Sequence, residues 1–264
     1  MLGRLLGVIV VLFAVTVQAT ERPNILFIFA DDWGWGDLSC HGHPYVKTPN
    51  IDRLAKEGTD FHRFTVASGV CSPSRTAVMT GHFPARHNID GHFAAVSSNQ
   101  RRNMPDWLDV DAPYLARFLK QSGYATAHYG KWHLSNNMIP DSPVPGKYGD
   151  YQPDGVSQVA TLKGQPYPVR KKPLFWKYPS RWPASASKPD HWVSFAVVDQ
   201  TWKLVTNSDL SYVELYDIAK DVYEKSDLKT QHPETVKQLL KELEAWQKSL
   251  PAKPEGDVFS AERD

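Results

Sequence analysis

Pro23-Asn24-Ile25-Leu26-Phe27-Ile28-Phe29-Ala30-Asp31-Asp32 joins an unbroken apolar run to a pair of carboxylates. The run reads as a strand buried on both faces, the kind found in parallel sheets covered by helices. Adjacent carboxylates at the carboxyl end of such a strand are costly to hold together without a cation. Ligands bind at that end of open α/β sheets, and a hard, oxygen-liganded ion, Ca2+ or Mg2+, suits the pair. A solvated acidic turn is the plainer alternative.

Working outward, residues 1–19 read as an export signal. Arg4 gives a positive start, Leu5 to Val17 is apolar, and Val17-Gln18-Ala19 ends in small residues suited to cleavage. The apolar run is short for a membrane span, though an uncleaved anchor is the alternative. The mature chain is therefore expected to be periplasmic or secreted, with no stable membrane association. At 264 residues it can form one large domain or a domain with an appendage. Hydrophobic residues make up 41%, with nine Trp and eleven Phe, enough for a packed core. A net charge of +1 argues against nucleic acid as the main partner. The two cysteines, Cys40 and Cys71, could form one disulfide in an exported chain. The surroundings of Cys71 favour an unpaired sulfur instead.

Those surroundings are Val70-Cys71-Ser72-Pro73-Ser74-Arg75-Thr76, with C-x-P-x-R spacing. A helix beginning near Pro73 would point its unpaired N–H groups and positive dipole end back toward Cys71. Arg75 adds a two-pronged donor suited to a tetrahedral oxyanion. A buried cysteine beside a proline-started helix is the plainer reading. Before this stretch, Thr48-Pro49-Asn50 opens a short helix with Ile51, Leu54 and Ala55 on its apolar face and Gly58 as its stop. Residues 61–66 look like a strand. After it, His82 and His87 read as surface histidines that could line a site, and residues 94–113 as irregular and polar. Tyr114 to Gln121 reads as a helix with Leu115, Phe118 and Leu119 on one face. Residues 124–129 are a further strand candidate, followed by Gly130-Lys131-Trp132-His133-Leu134. If that strand continues, alternation places Lys131 and His133 on one face.

Three strand ends thus supply two carboxylates, a cysteine with an arginine, and a lysine with a histidine. In this order, residues 23–32, Cys71-Ser72-Pro73-Ser74-Arg75 and Gly130-Lys131-Trp132-His133-Leu134 resemble the type I, formylglycine-dependent sulfatases of the alkaline-phosphatase-like superfamily. The resemblance covers residues 22 to about 140. It implies an α/β fold with a central mixed, mostly parallel sheet flanked by helices, here incomplete, and a small C-terminal antiparallel sheet plus helix. It implies that Cys71 is oxidised to formylglycine by a maturation enzyme. The hydrated aldehyde has two hydroxyls on one carbon. One attacks sulfur in line and expels the alcohol; the other then loses its proton and the carbon collapses back to the aldehyde, releasing sulfate without water attacking sulfur, an exit a serine ester lacks. By the same resemblance, Asp31, Asp32 and the Cys71-derived group bind Ca2+. Arg75 stabilises the hydrate and the metal site, Lys131 binds sulfate oxygens or the formylglycine hydroxyl, and His133 moves protons. The implied substrate is a sulfated carbohydrate or small-molecule sulfate ester.

The chain departs from the family's pattern after residue 140. The family completes its metal site with an Asp-Asn pair after a later strand, in a Ser-Asp-Asn-Gly-like run, and its sulfate pocket with a further histidine and lysine. This sequence has no Asp-Asn dipeptide. Asn50-Ile51-Asp52 belongs to the first helix, and Asn207-Ser208-Asp209 reads as having no buried strand before it. The chain beyond residue 155 resembles the family's C-terminal end. Residues 171–176 are strand-like, 195–198 and 202–205 form a hairpin about Asp199-Gln200, and Glu214-Leu215-Tyr216-Asp217 comes next. Pro233 to Leu250 is an amphipathic helix, with Val236, Leu239, Leu240, Leu243 and Trp246 on one face. The expected organisation is a signal at 1–19, an N-terminal catalytic portion at 20–155 and a C-terminal subdomain at 156–264. The join falls in the Pro- and Gly-rich stretch 147–154. Two other functions stay open: an inactive, sulfate-binding relative, and a phosphoric or phosphonic ester hydrolase. A paired-Zn2+ phosphatase would want more His and Asp ligands than this sequence shows.

Overall fold

The computed structural model describes residues 22–135, 154–157, 159–166, 169–178 and 194–254. The leader expected at 1–19 lies outside the described residues, as does the join expected at 147–154 apart from Asp154. The chain divides between Asp31 and Asp32 into two compact units.

In the first unit, the run expected to be a doubly buried strand forms no strand. Ile25, Leu26, Phe27 and Ile28 are exposed, Leu26 at 86% and Ile28 at 77%. The rings of Phe27 and Phe29 stack on each other at 6.1 Å. A strand is completed by hydrogen bonds to a neighbouring strand, and among the described residues none pairs with this run. The same holds for residues 61–66 and 124–129, where Phe64, Val66 and Tyr129 are exposed. The mostly parallel central sheet is therefore not formed among the described residues.

The second unit carries six α-helices among its described residues, besides three short 3-10 helices at Trp35–Asp37, Ser39–His41 and Pro84–His87. The α-helices are α1 (Pro49–Glu57), α2 (Cys71–Thr80), α3 (Val96–Arg101), α4 (Leu115–Gln121), α5 (Val159–Leu162) and α6 (Pro233–Lys248). Its sheet has four antiparallel strands in sequential order: β1 (Leu174–Lys177), β2 (Phe195–Asp199), β3 (Trp202–Thr206) and β4 (Val213–Asp217). The β2–β3 hairpin closes on the Asp199–Trp202 pair, so only Gln200 and Thr201 make the turn. Gln200 takes the left-handed conformation that so tight a reversal asks for. In α6, Pro233 opens the helix, Glu234 lies in the first turn and Lys248 in the last, each complementing the helix dipole. Its Leu239, Leu243 and Trp246 are buried against Phe175, Val197, Leu204 and Leu215 of the sheet. Phe83 and Ala85 from the N-terminal half enter the same core. Trp246 stacks on Phe175 at 4.9 Å, and Phe83 meets both rings edge-on.

A second core gathers Ile89, Phe93, Met104, Leu108, Ala112 and Leu134, with Met79, Tyr114 and Trp132 packed on it. It corrects the reading of 94–113 as merely irregular. That stretch contains α3, and its buried Asn99 amide donates to the Ala94 carbonyl and the Asp106 carboxylate. In α4, Leu115 is exposed while Phe118 and Leu119 are half-buried, so the apolar face expected there is only partly covered. Leu54 of α1 is likewise exposed. Gly58 ends α1 with a non-left-handed φ, and a Cβ on it would lie 3.0 Å from the Leu54 carbonyl oxygen. Close approach, not positive φ, is what the position requires.

Candidate active site

The helix α2 begins at Cys71, two residues earlier than expected, so Cys71 lies in its first turn and not ahead of it. Val70 is extended and offers no side-chain cap, while Pro73 sits where the helix needs no donor. Ser74 donates its hydroxyl to the Ser68 carbonyl, closing the preceding loop. Gly81, left-handed, ends the helix by donating to Ala77 O at 2.8 Å. Inside α2, Thr76 donates to Ser72 O at 2.9 Å and Thr80 to Thr76 O at 2.7 Å, so these buried hydroxyls are satisfied locally.

Two hydrogen-bonded links join α2 to residues 131–133. Arg75, buried on the helix, donates from Nη1 to the Lys131 carbonyl. The backbone of Phe93 makes the second link. Its N–H donates to the buried Ser72 hydroxyl at 3.0 Å, and its carbonyl lies 3.2 Å from His133 Nε2. A carbonyl only accepts, so Nε2 carries a hydrogen, and in the neutral tautomer Nδ1 is the bare nitrogen. Among the described residues, Nδ1 is buried without a partner. Lys131 is exposed, and Trp132 between the two stacks on Tyr114 at 6.2 Å, anchoring the segment in the second core. His133 is left-handed, so the strand alternation expected to align it with Lys131 does not operate. The two are held instead by separate bonds to α2 and Phe93.

Asp32 begins the second unit in a left-handed conformation, which aspartate tolerates. A carboxylate oxygen of Asp32 and the Cys71 sulfur lie within 4.8 Å of each other. Asp31, exposed, is the last residue of the first unit and adjoins Asp32 in the chain. Within the second unit, then, Asp32 approaches Cys71, Arg75 holds the Lys131 carbonyl, and His133 is tied to α2 through Phe93. Both cysteines are free, Cys40 exposed and Cys71 partly buried.

Two other readings are corrected. His82 and His87 are half-buried and paired, not free on the surface: they stack at 5.4 Å, with His82 Nδ1 3.2 Å from His87 Nε2. Burial, then the neighbouring His82 and Arg86 charges, push the His87 pKa down to about 4. Asn207-Ser208-Asp209 does follow a buried stretch, the end of β3, but the Asn207 side chain is spent on the turn. It accepts from Tyr212 N–H at 3.0 Å and donates to Ser211 at 2.9 Å. Sequence reasoning also missed a group of metal-type donors, His41, Asp60 and His62. The alternate spacing of Asp60 and His62 was the available signal, but His41 lies 19 residues from Asp60.

The sulfatase family profile matches residues 23–165. Human steryl-sulfatase is 42% identical over 122 residues, which are 44% of this chain and 20% of that protein. Bovine arylsulfatase A is 42% identical over 121 residues, 46% of this chain and 23% of that one. An N-acetylgalactosamine-6-O-sulfatase of Bacteroides thetaiotaomicron is 42% identical over 117 residues, 44% and 22%. The matched segment spans about a fifth of the length of these relatives. Among solved structures, Ps i-CgsB superposes with a TM-score of 0.58 at 16% identity, covering 88% of this chain and 95% of that one. At that identity the likeness concerns the fold.

Proposed function

The chain belongs to the sulfatase family, and on that premise we propose that it hydrolyses a sulfate ester at Cys71. The observation that carries the reading is the pair of hydrogen-bonded links, Arg75 to Lys131 and Ser72 through Phe93 to His133. They tie the segment that carries Lys131 and His133 to the helix that carries Cys71 and Arg75. The donor chemistry also fits the group the family uses: Asp31 and Asp32 offer hard carboxylate oxygens, as Ca2+ prefers over Zn2+. Ca2+ with formylglycine at position 71 supplies a positive centre beside a hydroxyl nucleophile. Mg2+ is the alternative ion. In this reading Asp31, Asp32 and the residue at 71 hold the ion. Arg75 orients the attacking group and adds positive charge beside it. Lys131, exposed at the rim, binds sulfate oxygens. His133 takes a proton on its bare Nδ1 while Nε2 stays fixed on Phe93.

The substrate class is a sulfated sugar, polysaccharide or small aryl sulfate, a reading drawn from the relatives' names and the export signal expected at 1–19. A formylglycine-generating enzyme is the maturation partner, met on the way to a secreted or periplasmic location. Coexpression with that enzyme followed by mass spectrometry tests the premise. The Cys71 peptide is expected to carry an aldehyde, and the purified chain to release 4-nitrophenol from its sulfate ester. An unmodified thiol overturns the reading. Turnover of 4-nitrophenyl phosphate alone would transfer it to phosphoric esters.

A second reading rests on the missing Asp-Asn pair and on the exposed apolar run at 25–28: a sulfate-binding chain without turnover. Aldehyde at position 71 with sulfate binding by calorimetry, but no ester hydrolysis, would select it.

A further inference from the structure

His41, Asp60 and His62 form a group of metal-type donors that the sulfatase reading does not use. The second 3-10 turn, Ser39–His41, is fixed against α1: Ser39 and Thr48 donate their hydroxyls to Asp52 at 2.6 and 2.7 Å, and Cys40 N–H donates to it at 3.1 Å. The chain returns past the end of α1 with Asp60 and His62. One donor atom from each of the three side chains then lies within 4.8 Å of the others.

Asp60 Oδ2 is 3.1 Å from His41 Nε2 and 3.6 Å from His62 Nε2. Neighbouring donors around a tetrahedral ion with bonds of about 2.0–2.1 Å stand roughly 3.3 Å apart, between these two values. The His41 ring is already oriented. Its Nδ1 lies 2.8 Å from the Trp35 carbonyl, which only accepts, so Nδ1 carries a hydrogen; Asp60 also only accepts, so without an ion Nε2 holds a proton toward it, and a metal ion would take that proton's place while Nδ1 stays fixed on Trp35. The Trp35 indole stacks on that ring at 4.2 Å and 15°. A proton on His41 would satisfy that pair alone, whereas a divalent ion satisfies all three donors together. The His41 and Asp60 side chains are largely covered, while the His62 side chain is 70% exposed, which leaves an entry path and room for water.

We propose that His41, Asp60 and His62 bind one borderline divalent cation of the Zn2+ type, with water in the remaining position. Two imidazoles and one carboxylate suit such an ion better than Ca2+ or Mg2+. The ion fastens the turns at 35–41 to the segment that runs from α1 toward Cys71. It is independent of sulfate-ester chemistry and of the ion assigned to Asp31 and Asp32.

The test is a titration of the full, tag-free chain with Co2+, read by visible absorption and reversed with Zn2+. Equimolar binding with the intense bands of a tetrahedral site is expected, displaced by Zn2+. His62→Ala, which alters a mostly exposed side chain, is expected to weaken binding at least about tenfold and abolish the bands. Asp60→Asn is expected to do the same, and Asp32→Asn and Cys71→Ser to leave both unchanged. Absence of equimolar binding, wild-type binding by His62→Ala, or loss of binding in Asp32→Asn or Cys71→Ser would each overturn the assignment.

Discussion

The β2–β3 hairpin with α6 and the stretches at 25–28 and 61–66 draw on the same kinds of residue. In the hairpin region, Val197, Leu204, Leu215 and Leu243 are fully buried. In the other stretches, Leu26, Ile28, Phe64 and Val66 lie in water. Composition does not separate them; the distance to a partner does. β2 meets β3 after two turn residues, and α6 then covers the face they share. No strand among the described residues pairs with 24–30 or 61–66. An apolar run specifies that it wants burial, and a second element must supply it.

The sharpest break of this comparison is a matched pair of truncations. Leu243→Ala opens a cavity between α6 and the sheet while keeping a good helix former, so its cost falls on packing. It is expected to destabilise the second unit by about 2–5 kcal/mol in urea unfolding. Leu26→Ala, at an exposed site, is expected to change stability by under about 0.5 kcal/mol. Equal effects would mean that residues 25–28 are covered in solution.

The next test uses pH, because the C-terminal core also captures Phe83 and Ala85, just before His87. His87 is held neutral when folded, with its pKa pushed down to about 4. Unfolded, it takes a proton near its ordinary value of about 6.5. Stability from this group is therefore complete above about pH 6.5 and lost as the pH falls toward 4, by at most about 3 kcal/mol. Thermal midpoints are expected to drop between about pH 7 and pH 5, and His87→Gln to flatten that slope. An unchanged slope in the variant would locate the titration elsewhere.

How much of this was legible in the sequence obeys the same rule of near and far partners. The hairpin and α6 could be read because each carries its own instruction: alternation with a turn, or a one-sided apolar stripe. Asp31, Asp32, Cys71, Arg75, Lys131 and His133 could be read as residue types in order. Their geometry could not. The link from Ser72 to His133 runs through the backbone of Phe93, and any residue has an N–H and a carbonyl, so position 93 gives no signal. His41 and Asp60 are joined only by the fold of the segments around α1. The strands misread at 24–30 and 124–129 failed for the opposite reason, since their local pattern was clear and their partner absent among the described residues.

Asp154 tests how firmly the C-terminal core holds its neighbours. Its carboxylate accepts two bonds from Arg86, at 2.7 and 2.6 Å, and one from Phe83 N–H at 2.7 Å. Arg86 is pushed further toward its charged form by this partner. Asp154→Ala is expected to cost about 2 kcal/mol, since bonds to charged groups exceed neutral ones and Phe83 N–H loses its acceptor. A neutral result would show that Phe83 stays docked through its ring contacts alone.

Ser72 carries the smallest expected effect and the most local one. Ser72→Ala leaves the Phe93 N–H without its acceptor, a loss of about 1 kcal/mol in unfolding experiments. Ser72 acts on His133 only through the Phe93 peptide, so it is a positioning residue, and stability alone would not reveal that role. The His133 ring does. With the Phe93 carbonyl displaced, the hydrogen on Nε2 is expected to exchange faster and the ring to populate its other tautomer, both visible by nitrogen-15 NMR. If the chain turns over sulfate esters as proposed, with His133 moving the proton, the same variant is expected to lower kcat with KM nearly unchanged. A rise in KM with kcat intact would place Ser72 on the binding side of the site instead.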